Sequence, residues 1–274
     1  MEIEYLVVVS ETDPVAVRVA EMWGTRPSLG DHVDGAAIRA LSSRAGLLRR
    51  PGIHIHDEHL DARLPPWMRS RKIPLVFPSI HRSEQGIESL TVHPLGNPGP
   101  SADVGGRPGV LVPTDPRRMA DALRRLQEVA PRLGVPASYE ATHHGPELEQ
   151  PAFFVEIGYG DRPVPPEASV RALAEILGEL AEDASDHVAL GVGGGHYAPH
   201  FSDLARRRHW AFGHMLSRHA LATIVAGIPA SAYALTPGAE GILFARAHDG
   251  DLPEWKGIGP RLRDGSAPAR GSSP

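Results

Sequence analysis

The chain has 274 residues, 28 basic against 33 acidic side chains for a net charge of −5, and no cysteine. A hydrophobic fraction of 41% supports a packed core and excludes an intrinsically disordered chain. Without thiols, disulfides, iron–sulfur ligation, thiolate zinc and a cysteine nucleophile are all excluded, so any metal must take histidine and carboxylate ligands. The longest apolar runs, such as Leu6–Val9, are too short to cross a bilayer, and the N-terminus lacks the basic start and apolar stretch of a signal peptide. These features predict a cytoplasmic protein with no membrane contact. The acidic balance predicts no bulk grip on nucleic acid, which leaves room only for a local basic face. Histidine is over-represented, at 15 residues.

In chain order, Ile3 to Ser10 is a continuous apolar run, the pattern of a strand buried on both faces. Asp13-Pro14 opens a helix, with Asp13 as cap and Pro14 in the first turn, and Gly24 ends it. Residues 52–56 alternate with period two and predict a strand with His54 and His56 on one face. With Asp57 and His59 following, that segment has the composition of a metal-ligand cluster. Ile73 to Ile80 is another apolar run, in which Pro74 and Pro78 predict an edge or a bend. Residues 94–109, rich in Gly and Pro, predict a long loop that is mobile or functional. The clearest helix runs from Pro116 to Leu133, capped by Thr114 or Asp115 and closed by Gly134. Its apolar stripe is Met119, Leu123, Leu126, Ala130 and Leu133, while Arg117, Arg118, Arg124 and Arg125 share the polar side. Residues 137–142 and 153–157 read as neighbouring strands around a His-His-Gly-Pro loop, residues 166–182 as a helix and residues 187–192 as a strand. The alternation predicts an α/β fold, one domain over residues 1–259, with a frayed tail over 260–274.

Three segments carry candidate chemistry. In the first, Glu140 to Pro146, a strand ends in His143-His144-Gly145-Pro146, which puts imidazoles where open α/β sheets bind ligands. Neutral imidazole serves there as a general base or as a metal ligand, although adjacent His on an extended chain point to opposite faces unless the turn redirects one. In the second, Gly193-Gly194-Gly195-His196 follows a strand, and successive glycines let backbone N–H groups approach an anion or a carbonyl closely. The third is His81-Arg82-Ser83, with His93 further on; alone it is a weak signal. Arg69, Arg71 and Lys72 form one basic cluster and Arg206, Arg207 and Arg208 another, beside Phe201, His209 and Trp210, a grouping suited to phosphate and base stacking.

Tyr139-Glu140-Ala141-Thr142-His143-His144-Gly145-Pro146, then Phe153 to Gly158, then Gly193 to Pro199, then Phe212-Gly213-His214, in that order, closely resemble the archaeal and plant type of D-aminoacyl-tRNA deacylase. Ser79-Ile80-His81, Thr91-Val92-His93 and Glu254-Trp255-Lys256-Gly257 resemble further segments of that family. The likeness spans 1–257 in layout, is strong over 139–219, and departs around 94–106, over 220–253 and in the tail. It implies hydrolysis of the ester between a D-amino acid and the terminal ribose of tRNA. It also implies zinc and a three-layer α/β/α, phosphorylase/hydrolase-like mixed sheet similar to that of peptidyl-tRNA hydrolase. Within it, the catalytic candidates are His143, His144, Glu140, Glu156 and His196. Gly193, Gly194, Gly195, Arg82, Lys256, Arg206 and Arg207 are candidates for holding substrate, and His81, His93 and His214 for holding zinc. The expected partner is the acceptor end of aminoacyl-tRNA, with a monomer allowed. The alternatives are a zinc-dependent hydrolase of a small ester or amide on the same fold, and a non-catalytic binder of RNA ends.

Overall fold

The structure, a computed structural model, describes residues 2–82, 86–208, 210–246 and 253–263. The strands are β1 (Tyr5–Ser10), β2 (Ser28–Val33), β3 (Ala36–Ala40), β4 (Ala45–Arg50), β5 (Leu75–His81), β6 (Glu88–Pro94) and β7 (Gly96–Asn97). They continue with β8 (Val110–Leu111), β9 (Ala137–Tyr139), β10 (Ala152–Tyr159), β11 (His187–Val192), β12 (Trp210–Leu216), β13 (Gly241–Phe244) and β14 (Arg261–Leu262). The α-helices are α1 (Pro14–Trp23), α2 (Pro66–Ser70), α3 (Pro116–Leu133), α4 (Glu167–Gly178), α5 (Pro199–Arg208), α6 (Arg218–Leu221) and α7 (Ile228–Ala234).

Eight strands form a mixed sheet in the order β2-β3-β4-β1-β5-β10-β6-β9. β4, β1, β5 and β10 run parallel, β6 is antiparallel to β10, and β9 is parallel to β6. The apolar run of β1 is explained by burial on both faces. Tyr5, Val7 and Val9 pack with Val15 of α1, Leu123 of α3 and Leu173 of α4, whereas Leu6 and Val8 pack with Leu60, Met68 of α2 and Phe77. The large mixed sheet between helical layers agrees with the fold the sequence implies. A second, parallel sheet, β12-β11-β13-β14, was not legible as a separate unit. Phe201 of α5, Phe212 of β12 and Leu243 of β13 join the same apolar cluster as α3, so the core runs unbroken between the sheets.

The caps read from sequence are present. Asp13 accepts from the N–H groups of Val15 and Ala16, Asp115 accepts from that of Arg118, and Gly134 closes α3 in a left-handed conformation. The helix expected over 166–182 stops at Gly178.

Several expectations are corrected. Residues 54–56 are not a strand but a single 3-10 turn, because Pro51-Gly52 ends the β4 path; His54 turns inward to 1% exposure while His56 stays exposed. β5 is no edge strand, since it lies between β1 and β10. Its pairing with β1 covers only Leu75 and Val76, and the β1-facing N–H of Ile80 already goes to Asp13, so the missing N–H of Pro78 breaks no ladder bond. β9 and β10 are not neighbours, for β6 lies between them. The four Arg of α3 offer no free basic face: Arg117 donates to the carbonyls of Asp183 and Ser185, Arg118 pairs with Asp115, Arg124 with Asp183 and Arg125 with Asp121. Part of the expected tail is strand β14; residues 264–274, with Ser83 and His209, lie outside the described residues.

Candidate active site

Side chains from five segments converge on one cavity of about 410 Å³. His81 ends β5, His93 and Glu156 come from β6 and β10, Glu140, His143 and His144 follow β9, and His196 follows β11. The cavity is lined by His81, His143, His144, Glu156 and His196, and also by Asp13, Ser79, Arg82, His54 and the apolar Ile53, Ile55, Ile80 and Val104.

The two adjacent His share the site because the backbone turns between them. His144 takes a φ of +44°, a left-handed conformation costly for a non-glycine residue, and its ring lies 4.5 Å from that of His143, centroid to centroid. The 94–109 segment braces this turn. Gly96 N–H donates to the His144 carbonyl and Gly145 N–H to the Val104 carbonyl. Backbones approach closely enough that a Cβ on Gly145 would stand 2.3 Å from Gly106 N, and one on Gly105 would stand 1.8 Å from the Ile55 carbonyl oxygen. The segment expected to be mobile or functional is therefore a bonded buttress, with Val104 at the cavity wall.

The imidazole tautomers follow from their partners. His93 Nδ1 lies 3.2 Å from the Pro94 carbonyl, His143 Nδ1 2.8 Å from that of Ala141, and His144 Nδ1 2.7 Å from that of Gly145. A carbonyl only accepts, so each Nδ1 carries hydrogen and each Nε2, when the ring is neutral, presents a lone pair. One ring nitrogen from each of these three His lies within 4.8 Å of the others. His93 Nε2 is buried without a hydrogen-bond partner.

The carboxylates sit beside this trio. Glu140 places one oxygen 3.1 Å from His196 Nε2 and 3.6 Å from His143 Nε2, and the other 3.0 Å from His81 Nδ1. Glu156 lies 3.3 Å from His81 Nδ1 and 3.6 Å from His93 Nε2. Burial pushes His81 down, but the two carboxylates outweigh it and raise its pKa to about 11. Burial likewise pushes Glu156 up, yet the His81 and His93 rings beside it hold it at about 2, and Glu140 is held well below the carboxylate range by His196 and His81. Burial and the charge of His93 push His144 down to about 4 and His143 well below the usual imidazole value. The site thus holds two ionised carboxylates, an imidazolium at His81, a His93 that burial pushes down but Glu156 raises above the usual imidazole value, and neutral imidazoles at His143 and His144.

Other candidates fall elsewhere. His214 is fully buried on β12, with Nδ1 3.0 Å from Thr142 Oγ1, and belongs to no ligand grouping among the described residues. His81 stays at the cavity, where its ring nitrogen and the oxygens of Glu140 and Glu156 lie within 4.8 Å of one another, a second grouping able to hold a metal; its Nδ1 sits between the two carboxylates and its Nε2 3.1 Å from Tyr197 Oη. Gly193 N–H donates to the Leu216 carbonyl and is not free for an oxyanion; the N–H groups of Gly194 and Gly195 have no partner among the described residues. Arg206 and Arg207 both pair with Asp203, and neither they nor the exposed Lys256 line the cavity. Arg69, Arg71 and Lys72 line other hollows. The cavity residue underrated by sequence is His54, whose burial no local pattern announces.

The profile of the family described as D-aminoacyl-tRNA deacylase matches residues 71–252, which hold every His and Glu of the trio and its carboxylates. The chain is 32% identical over 246 residues to the D-aminoacyl-tRNA deacylase of Thermoplasma acidophilum, covering 88% of this chain and 90% of that one. It is 36% identical over 187 residues to that of Thermoplasma volcanium, covering 68% and 69%. Among solved structures it is similar to AF0625, a conserved protein of unknown function, with a TM-score of 0.76 at 28% identity over 88% of this chain and 86% of that one. On these matches, the chain belongs to the D-aminoacyl-tRNA deacylase family.

Proposed function

We propose that the protein hydrolyses the ester joining a D-amino acid to the terminal ribose of tRNA, releasing the free amino acid and tRNA. The observation that supports this most is the buried assembly of His93, His143, His144, Glu140 and Glu156 within the segment that matches the family. Ester hydrolysis needs an activated water, a stabilised oxyanion and a held substrate, and each need has a suitable group here.

The residues fit a zinc ion. One ring nitrogen from each of the three His lies within 4.8 Å of the others, each ring is fixed by an Nδ1–H bond to a backbone carbonyl that leaves Nε2 as the ligand atom of the neutral ring, and the buried His93 Nε2 has no hydrogen-bond partner. His93, His143 and His144 would hold the metal, in place of the His81 and His214 expected alongside His93. Zinc there would supply Lewis-acid chemistry, polarising the ester carbonyl and acidifying water.

Glu140 orients His196, the exposed member of the set, which serves as the general base on the attacking water. The imidazolium of His81 neutralises the Glu140–Glu156 pair and turns its second nitrogen to the Tyr197 hydroxyl. The N–H groups of Gly194 and Gly195 are available to the developing oxyanion. Arg82, at the cavity wall, suits a phosphate of the acceptor end, while Arg206, Arg207 and Lys256 are left for outer contacts. An activity on charged tRNA would suit a cytoplasmic protein. The test is release of amino acid from D- and L-tyrosyl-tRNA: fast release from the D ester alone supports the reading, and equal release from both overturns it.

A further inference from the structure

His54 is an anomaly in an otherwise well-bonded interior. Its ring is 1% exposed, and neither Nδ1 nor Nε2 has a hydrogen-bond partner. The nearest carboxylate oxygen, Asp13 Oδ2, is 4.0 Å from Nε2, beyond hydrogen-bond reach. The ring is stacked on Phe77 at 5.9 Å and packed against Phe154 at 5.0 Å, and it lines the same cavity as His143 and His144. A polar ring buried with both nitrogens idle costs free energy that an apolar ring of similar shape would avoid. His54 lies outside the segment that matches the family, and none of the roles above uses it.

We infer that His54 is a substrate-binding residue whose imidazole hydrogen-bonds the hydroxyl vicinal to the ester on the terminal ribose. This rests on the deacylase reading. A neutral imidazole offers one donor and one acceptor, which matches a hydroxyl. The α-ammonium of the amino acid is a poorer match, because it would take only the ring's lone pair and leave the ring N–H without a partner, and the neighbouring Asp13 carboxylate is already engaged. Asp13 Oδ1 already accepts from Val15 and Ala16, and Oδ2 from Ser79 Oγ and the Ile80 N–H. Position agrees as well. One ring, Phe154, lies within 5.1 Å of His54, His93 and His144, centroid to centroid, so His54 is set across a single phenyl ring from two of the three histidines. The vicinal hydroxyl is a near neighbour of the ester oxygen.

The experiment crosses two changes in the full-length protein: His54→Phe, which keeps the stack, and a tRNA whose terminal ribose lacks the vicinal hydroxyl. Single-turnover release of D-tyrosine is measured for all four combinations. Each single change is expected to slow release by roughly tenfold to a hundredfold, and the two together by no more than either alone. His54→Gln, which keeps a donor and an acceptor, recovers part of the loss, and the melting temperature of His54→Phe does not fall. Losses that multiply, or no loss with His54→Phe, overturn the inference while leaving the deacylase reading in place. Failure of the unaltered protein to release D-tyrosine from the native ester overturns that reading and the inference with it.

Discussion

At the residue scale, Glu140 is the side chain on which most of the site depends. Fully buried, it faces His81, His143 and His196 at once. Glu140→Gln keeps the shape but removes the charge that orients His196 as a base. Its kcat should fall roughly a hundredfold to ten-thousandfold with little change in KM. Steady-state kinetics on D-tyrosyl-tRNA checks this, and a rise in KM at constant kcat would contradict it. His214 is a case of stability rather than chemistry. Burial lowers its pKa from 6.5 to about 3, so below pH 6.5 the unfolded chain binds a proton that the folded chain refuses. Its contribution is present above 6.5 and lost progressively as the pH falls toward 3. A His214→Gln variant should therefore show a shallower decline of melting temperature between neutral and acid pH, as calorimetry at several pH values would show. The motif histidines and glutamates were legible because they end predicted strands in runs of chemically specific residues. His54 was not, because its inward turn depends on where β4 stops and on Phe77 and Phe154, far away in sequence.

At the element scale, what was legible was local. Asp13-Pro14 and Asp115-Pro116 name their helices because capping is settled within four residues. The insertion of β6 between β9 and β10 was not, since strand order depends on pairings between distant segments. The 94–109 segment reads from sequence as a mobile or functional loop for the same reason: the bonds that make it a buttress go to Glu58, His144 and Gly145 as well as to itself. Gly105→Ala would drive a methyl into the Ile55 carbonyl at a φ of +75°. It should cost about 1–3 kcal/mol of stability, or more, and lower activity by displacing the His144 turn; a melting curve unchanged from the parent would contradict this. The glycine run gives a cleaner probe at Gly195 than at Gly194. Gly194 has a φ of +77°, so a side chain there strains the backbone whatever the substrate does, whereas a Cβ on Gly195 meets nothing within 4 Å. Gly195→Val should leave the melting temperature within a degree or so and cut turnover, if substrate passes there. Unchanged turnover would remove the glycine run from the substrate path.

At the scale of the whole molecule, α/β alternation was enough to expect a sheet with helices on both faces, the family resemblance implied that it is mixed, and such a sheet is present. The second sheet β12-β11-β13-β14 was hidden because its strands are separated by long helical and irregular stretches. Its role is to bring His196 to the strand ends of the first sheet. Among the described residues, no helix is long and apolar enough to cross a membrane. If His93, His143 and His144 hold zinc, binding to the folded chain alone should raise the melting temperature with metal concentration. Chelation should lower both stability and turnover, zinc should restore them, and His93→Ala should erase the dependence. Full turnover after complete metal removal would contradict the zinc assignment.

Cleavage of D-aminoacyl-tRNA by this buried histidine–carboxylate assembly can be tested directly. The most direct measurement is the rate of tyrosine release from D- and L-tyrosyl-tRNA by the protein and by its His144→Ala variant, side by side. Rapid release from the D ester, little from the L ester, and loss of the D-selective release in the variant are expected. Equal cleavage of both esters, or D-selective release that survives in His144→Ala, would contradict that expectation.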